Sequence, residues 1–320
     1  MKVAIQNSEL GQRGGINTYS LRLQRYLNQL DDIKAEMYVN KYRGKCDIHC
    51  IQYEPGCTPP QMLNNFIMNL EEPIVVTAHH VLQLQQFYPM LDGVVLHSDF
   101  QSQEKPWDYK VIPHPALVYK KKDKKKLRKK YGLPVDKKIV GTMGFIHGTG
   151  KTLPASVKNI LEKLNKDEFL YLITPFWKGG DNGRYNQIMD VVKSLGKEDQ
   201  FKIEVDFTVD EEELNEKMQC CDLMYAWNST DIHAPGAQSG SAADMYGARV
   251  KLIVKDSPHY EFIAKQDKVL KGRIDLNDFC EDVVNALRNE DLTDVQNPEW
   301  LSWENKIQDY VDYFKEVIGE

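Results

Sequence analysis

Residues Gly144 to Thr152, GFIHGTGKT, set three glycines, His147 and Lys151 between the apolar run KKIVGTM and the helical pattern LPASVKNILEKL. In such a turn consecutive backbone N–H groups curl around one phosphate and a lysine reaches the next. The hydrolase spacing G-x-x-x-x-G-K-[ST] is missed by one residue, because Phe145 to Thr149 put five positions between Gly144 and Gly150. What survives is a glycine turn feeding a helix N-terminus, where unsatisfied N–H groups and the helix dipole favour an anion in any register. An ordinary strand-to-helix turn with a solvated Lys151 uses the same residues.

Three other stretches carry residue types able to do chemistry. LGQRGGINTYSLRL (10–23) places Gly14 and Gly15 at a helix start, where a ligand can approach the backbone, although G-x-x-G-G is not a dinucleotide fingerprint. TAHHV (77–81) ends a strongly apolar strand with His79 and His80, suited to hydrogen-bonding a hydroxyl or to acid–base work near neutral pH. APGAQSGSAADMYGARVKLIV (234–254) offers Ser239, Gly240 and Ser241 before a short helix, with Asp244 one turn later as an acceptor for a sugar diol. Two anion sites in one half of the chain suit a diphosphate better than a single phosphate. Each stretch also reads as a plain structural turn, a core imidazole or a connector.

These residues need elements to position them, and the chain is long enough to supply two domains. Its 320 residues are 42% hydrophobic and 28% charged, the balance of a soluble globular protein, and a formal charge of −6 argues against a wholly basic nucleic-acid binder. One local exception is Lys120 to Lys130, KKKDKKKLRKK, where nine of eleven residues are Lys or Arg. Such a run attracts anionic lipid or nucleic acid, or it is a solvated helix face or linker. The six cysteines lack a paired C-x-x-C pattern and read as buried free thiols of a reducing compartment. The start, MKVAIQNSEL, enters a strand without the apolar core of a signal peptide, and no window approaches 18 uninterrupted apolar residues. A cytoplasmic protein is expected, with the Lys run as its means of any peripheral membrane contact.

Short apolar runs alternate with amphipathic ones throughout, the mark of βα units and parallel sheets. Strands are expected at KVAIQ, AEMYV, IHCIQY, PIVVTAH, GVVLHS and YKVIP, then at KKIVGTM, FLYLITP, FKIEVDF, DLMYAWN and VKLIVKD. Helices are expected at NTYSLRLQRYLNQL, PQMLNNFIMNL, PASVKNILEKL, RYNQIMDVVKSLG, DEEELNEKMQCC, SGSAADMYGA, LNDFCEDVVNALRN and the C-terminal PEWLSWENKIQDYVDYFKEVIGE. The reading is α/β: a domain over 1–118, a basic linker over 119–136, a second domain over 137–300, and a helix over 301–320 that joins the first. Ligands of such doubly wound sheets bind beyond the carboxyl ends of the strands.

The order of these features resembles the GT-B glycosyltransferases, especially the retaining family-4 type. The likeness runs through GQRGGINTYSLRL, IHCIQYEPG, Thr77-Ala78-His79, VVLHSDFQS, VIPHPA, the Gly144-Phe145…Lys151 turn, DEEELNEKMQCCDLMYAW and the loop, helix and strand ending in VKLIV. It implies two Rossmann-like doubly wound parallel-sheet domains with a C-terminal crossover helix, the acceptor bound mainly by the first and a sugar nucleotide such as a UDP- or GDP-sugar mainly by the second. It further implies that Lys151 contacts the donor diphosphate, that the Ser239 to Ser241 backbone cradles the same group, that His79 lies at the reacting sugar, and that no metal or other cofactor is needed. Gly144, His147, Gly240 and Asp244 complete the donor-side set, and Gly14 and Gly15 contact donor or acceptor. Two departures stand out. Thr142 or Met143 occupies the place of a family arginine, and APGAQSGSAADM has no glutamate where the family carries two, leaving Asp244 alone.

The expected activity is therefore transfer of a sugar, with retention, from a nucleoside-diphosphate sugar to a hydroxyl of a glycan, a glycolipid or a modified nucleobase in DNA. Two other classes are open: a non-catalytic protein binding nucleotide-sugar or carbohydrate, and a P-loop-like nucleotide hydrolase that requires magnesium.

Overall fold

The computed structural model describes residues 1–81, 83–99, 109–146, 153–176, 182–229 and 238–320. The chain divides into two compact units, Met1–His114 with His233–Gln238 and Trp303–Glu320, and Pro115–Ile232 with Ser239–Ser302.

The first unit holds strands β1 (Lys2–Gln6), β2 (Lys34–Tyr38), β3 (Ile48–Tyr53), β4 (Ile74–Ala78), β5 (Gly93–Leu96) and β6 (Lys110–Val111), paired in parallel in the order 2-1-3-4-5-6. Every residue of β3, β4 and β5 is buried, as expected of parallel strands covered on both faces. Helix α1 (Gly15–Leu27) turns Ile16, Tyr19, Leu23 and Leu27 inward at helical spacing, and α2 (Pro60–Ile67) starts on a proline whose missing N–H costs nothing in a first turn. The C-terminal helix (Trp303–Ile318) packs against α1, with Tyr26 stacked on Trp303 at 5.6 Å and 9°. Its Tyr313 hydroxyl accepts from Val94 N at 3.0 Å, and a side chain at Gly93 would collide with it.

The second unit holds α3 (Lys124–Lys130), β7 (Lys138–Met143), α4 (Pro154–Lys163), β8 (Glu168–Ile173), α5 (Asn182–Ser194), β9 (Phe201–Glu204), α6 (Glu211–Gln219), β10 (Leu223–Ala226), α7 (Gly240–Gly247), β11 (Lys251–Lys255), α8 (Glu261–Ala264), β12 (Val269–Gly272) and α9 (Leu276–Arg288). Its sheet is again all parallel, in the order 12-11-10-7-8-9. Counted from β7 this is 6-5-4-1-2-3, the doubly wound dinucleotide-binding order read from its far edge, and it reverses between β7 and β10. Gly247 lets α7 close on the chain before α3, since a Cβ there would lie 2.2 Å from Leu117 O.

One strand lies outside the sequence reading. VLKG (269–272) forms the edge strand β12, which its short length and flanking charges concealed. The basic run is in part the helix α3 of the second unit, capped by Asp123 and packed on α6. Among the described residues no helix is long and apolar enough to cross a membrane.

Candidate functional site

In the first unit a histidine follows each of three adjacent strands. His79 follows β4 and His97 follows β5, while His114 stands three residues beyond β6, and the register that pairs Ala78 with Leu96 and Leu96 with Val111 brings them side by side. Ring centroids are 5.1 Å apart for His79 and His97 and 5.0 Å for His97 and His114. Tyr19 of α1 packs edge-on against His79 at 4.6 Å and against His114 at 5.0 Å, and its hydroxyl is bonded to that of Tyr310.

Burial, reinforced by mutual repulsion, decides the protonation of this cluster. His97 is wholly buried, and desolvation with His114 beside it brings its pKa down to about 3. Desolvation and then the two other imidazoles hold His79 well below the usual histidine range. Both rings are neutral at physiological pH. His97 Nδ1 donates to Ile112 O at 3.0 Å, so Nε2 carries a lone pair, and that atom is buried with no partner among the described residues. His79 Nε2 donates to Gln52 Oε1 at 3.0 Å, which leaves Nδ1 as an acceptor.

The turn after β1 is built on buried amides. Asn7 Nδ2 donates to Asn17 Oδ1 at 2.9 Å, Asn17 Nδ2 donates to Gln12 O at 2.8 Å, and Asn7 Oδ1 accepts from Glu9 N at 3.0 Å. This network delivers Gly14, the N-cap of α1, which makes no side-chain capping bond. Gly15 has no positive φ and a Cβ there would meet nothing within 4 Å, so the fold does not require glycine and its effect is open space over the first turn.

In the second unit β7 runs into Gly144, whose φ of +143° excludes ordinary side chains, and the Gly144 N–H donates to Ile173 O at 3.1 Å. His147 and Lys151 lie outside the described residues. The Ser239 side chain caps α7 by accepting from Ala242 N at 3.2 Å and lies 3.1 Å from the Ser241 hydroxyl. Asp244 is 4% exposed and its Oδ1 accepts from Leu117 N at 2.9 Å. That carboxylate holds the chain segment before α3, a role its position one turn into the helix does not announce. Thr142 and Met143, the two residues set against an arginine above, are both buried, and Thr142 donates to Tyr225 O at 2.7 Å.

A cation that sequence reasoning passed over ends β11. Lys255 is 2% exposed, its ammonium donates to Asn228 O at 2.8 Å and lies 5.2 Å from the Trp227 ring. The basic run is answered largely within the second unit: Lys122 reaches Glu212 and Glu216 at 2.5 Å, Lys124 reaches Asp222 at 2.8 Å, Arg128 reaches Asp222 at 2.6 Å, Lys130 reaches Glu216 at 2.5 Å, and Lys121 pairs with Asp294.

No protein-family model matches the chain, and no curated protein sequence is similar to it. Solved structures are similar over its full length. Sucrose-phosphate synthase from Thermosynechococcus elongatus superposes with a TM-score of 0.73 at 11% identity, covering 100% of this chain and 99% of that one. A glycosyltransferase from Rickettsia africae gives 0.72 at 12% identity, covering 99% and 98%. HepE of Anabaena, solved with UDP and glucose, gives 0.68 at 13% identity, covering 100% and 96%. With its two all-parallel six-stranded sheets, the chain has the GT-B fold.

Proposed function

We propose that this protein transfers a sugar, with retention, from a nucleoside-diphosphate sugar to an acceptor hydroxyl. The observation that carries the reading is the end-to-end likeness to a protein solved with UDP and glucose. Two features agree with it: Gly144 and the Ser239-capped α7 in the second unit, and the neutral imidazoles in the first.

In the reaction the bond from the anomeric carbon to the diphosphate oxygen breaks as the acceptor oxygen bonds to that carbon, and the acceptor proton leaves with the diphosphate. Negative charge therefore grows on the leaving group, where preorganised N–H groups and cations are most effective. Lys151, with His147 in the same turn, and the first turn of α7 at Ser239, Gly240 and Ser241 meet that charge. Lys255 adds a fixed positive charge that offsets the missing arginine. His79, neutral and with Nδ1 free of its Gln52 bond, accepts a hydrogen bond from a hydroxyl of the sugar or the acceptor, and Gly14 and Gly15 leave room for one of them. Because Asp244 is engaged with Leu117 N, backbone amides take the sugar contact that the family assigns to a carboxylate.

A panel of UDP- and GDP-sugars tests the reading. Stabilisation by one nucleotide together with release of its sugar supports it, whereas indifference to every donor overturns it. The absent glutamate pair and the engaged Asp244 favour a second reading, a binding protein without turnover, for which UDP would raise the melting temperature while no sugar is released. A glycan or glycolipid acceptor follows more readily than DNA from the internal pairing of the Lys120–Lys130 cations, and salt-dependent binding to duplex DNA would reverse that preference.

A further inference from the structure

At the opposite end of the first sheet from His79, three ligating side chains converge where β3 and β4 start. Cys46 lies two residues ahead of β3, His49 is its second residue, and Glu72 lies two residues ahead of β4. The register sets His49 opposite Ile74, and His49 N donates to Pro73 O at 2.8 Å, so both segments are fixed by the sheet. Cys46 Sγ is 3.3 Å and Glu72 Oε2 is 3.2 Å from the same atom, His49 Nε2, and all three ligand atoms lie within 4.8 Å of one another.

Hydrogen bonds alone serve this arrangement poorly. If His49 Nε2 carries a proton and donates to Glu72, it has no lone pair for the Cys46 thiol; if it accepts from the thiol, its lone pair side faces the carboxylate. A cation resolves the conflict, because sulfur, nitrogen and oxygen all direct electron pairs to one point. Tetrahedral zinc has arms of about 2.0–2.3 Å, which places neighbouring ligand atoms roughly 3.3–3.5 Å apart, close to the two separations found here. The outer partner of the imidazole is also in place: Tyr38 Oη lies 3.1 Å from Nδ1 and can accept its N–H, fixing the tautomer that points Nε2 at the metal. Tyr38 and Tyr42 pack edge-on against the ring at 5.8 and 5.9 Å, holding its orientation.

We propose that Cys46, His49 and Glu72 form a zinc site, independent of the sugar-transfer reading. The mixed sulfur, nitrogen and oxygen set selects a borderline-soft cation over magnesium or calcium. Cys46 and His49 are buried and fixed, whereas the Glu72 side chain is 35% exposed and closes the short remaining distance, with water completing the fourth position on that side. Binding breaks the Cys46 S–H bond and releases its proton to bulk water. Its distance along the strands from His79 makes the site a clasp between β3 and β4.

The full chain, stripped with chelator, should bind one Co2+ with a thiolate-to-metal charge-transfer band in the near ultraviolet, and Zn2+ should displace it. Cys46→Ser should abolish the band and weaken Zn2+ binding at least tenfold, with Glu72→Gln weakening it less. X-ray absorption of the wild-type zinc form, which needs no variant, should show one sulfur about 2.3 Å from the metal. A wild-type shell without sulfur, no cobalt band, or an unchanged band in Cys46→Ser overturns the proposal.

Discussion

In the first unit the carboxyl ends of β4, β5 and β6 are closed by imidazoles, while in the second the ends of β7 and β10 open into Gly144, Trp227 and Asn228 and into the turn capped by Ser239. Burial silences the first group: His79 and His97 are neutral and act by hydrogen bonding and shape. The second region offers the positive-φ backbone of Gly144, the Ser239 cap of α7 and the buried Lys255. The same sheet architecture thus ends in buried imidazoles in one unit and in glycine, serine and a buried lysine in the other, and residue type at the strand ends makes the difference.

The comparison breaks most sharply at Lys151. Lys151→Ala should lower the transfer rate by about 10²–10³-fold, the usual cost of removing one stabiliser of developing negative charge, with an unchanged circular dichroism spectrum; an unchanged rate means that the cradle is not where charge is met. Next comes Gly144→Ala, which forces a Cβ into a positive-φ conformation. It should cost about 1–3 kcal/mol in urea denaturation and weaken UDP binding, whereas tolerance of alanine would remove backbone geometry from the account.

The histidine side is tested by pH. A histidine whose folded pKa lies below its ordinary value of 6.5 contributes stability that is complete above 6.5 and is lost as pH falls toward the folded value, for His97 about 3. Stability should therefore fall across that window, and His97→Asn should remove up to ~1.4 kcal/mol per pH unit of the slope, measured by denaturation at pH 7 and pH 5. An identical slope in wild type and variant would show that His97 is not held neutral. The smallest effect is expected for Ser239→Ala, about 1 kcal/mol from the lost cap of α7, read as a lower melting temperature, with a proportionate fall in UDP affinity if that turn binds phosphate.

Much of the architecture was legible because parallel strands covered on both faces must be continuous apolar runs. IHCIQY, IVVTA and KIVGTM carry that demand in their composition, and the helices between them carry the spacing of one buried face. The histidines were half legible. VVTAH, VVLH and VIPH each end an apolar run in histidine, yet only His79 stood out, since nothing local says that β4, β5 and β6 are neighbours. The pairings of Asp244 and of the basic run were illegible for the same reason: Leu117 lies 127 residues from Asp244, and Glu216, Asp222 and Asp294 lie 86 to 173 residues from the cations they meet.

By itself the sequence determined the βα alternation, the glycine turns and the places where strands hand over to helices, because hydrophobic period, φ requirements and helix capping act over a few residues. Only the tertiary structure decided which polar groups are neutral, paired or free to bind. Those properties depend on desolvation and on partners brought from distant segments, as Glu72 is brought to Cys46 and His49, and Asp222 to Arg128.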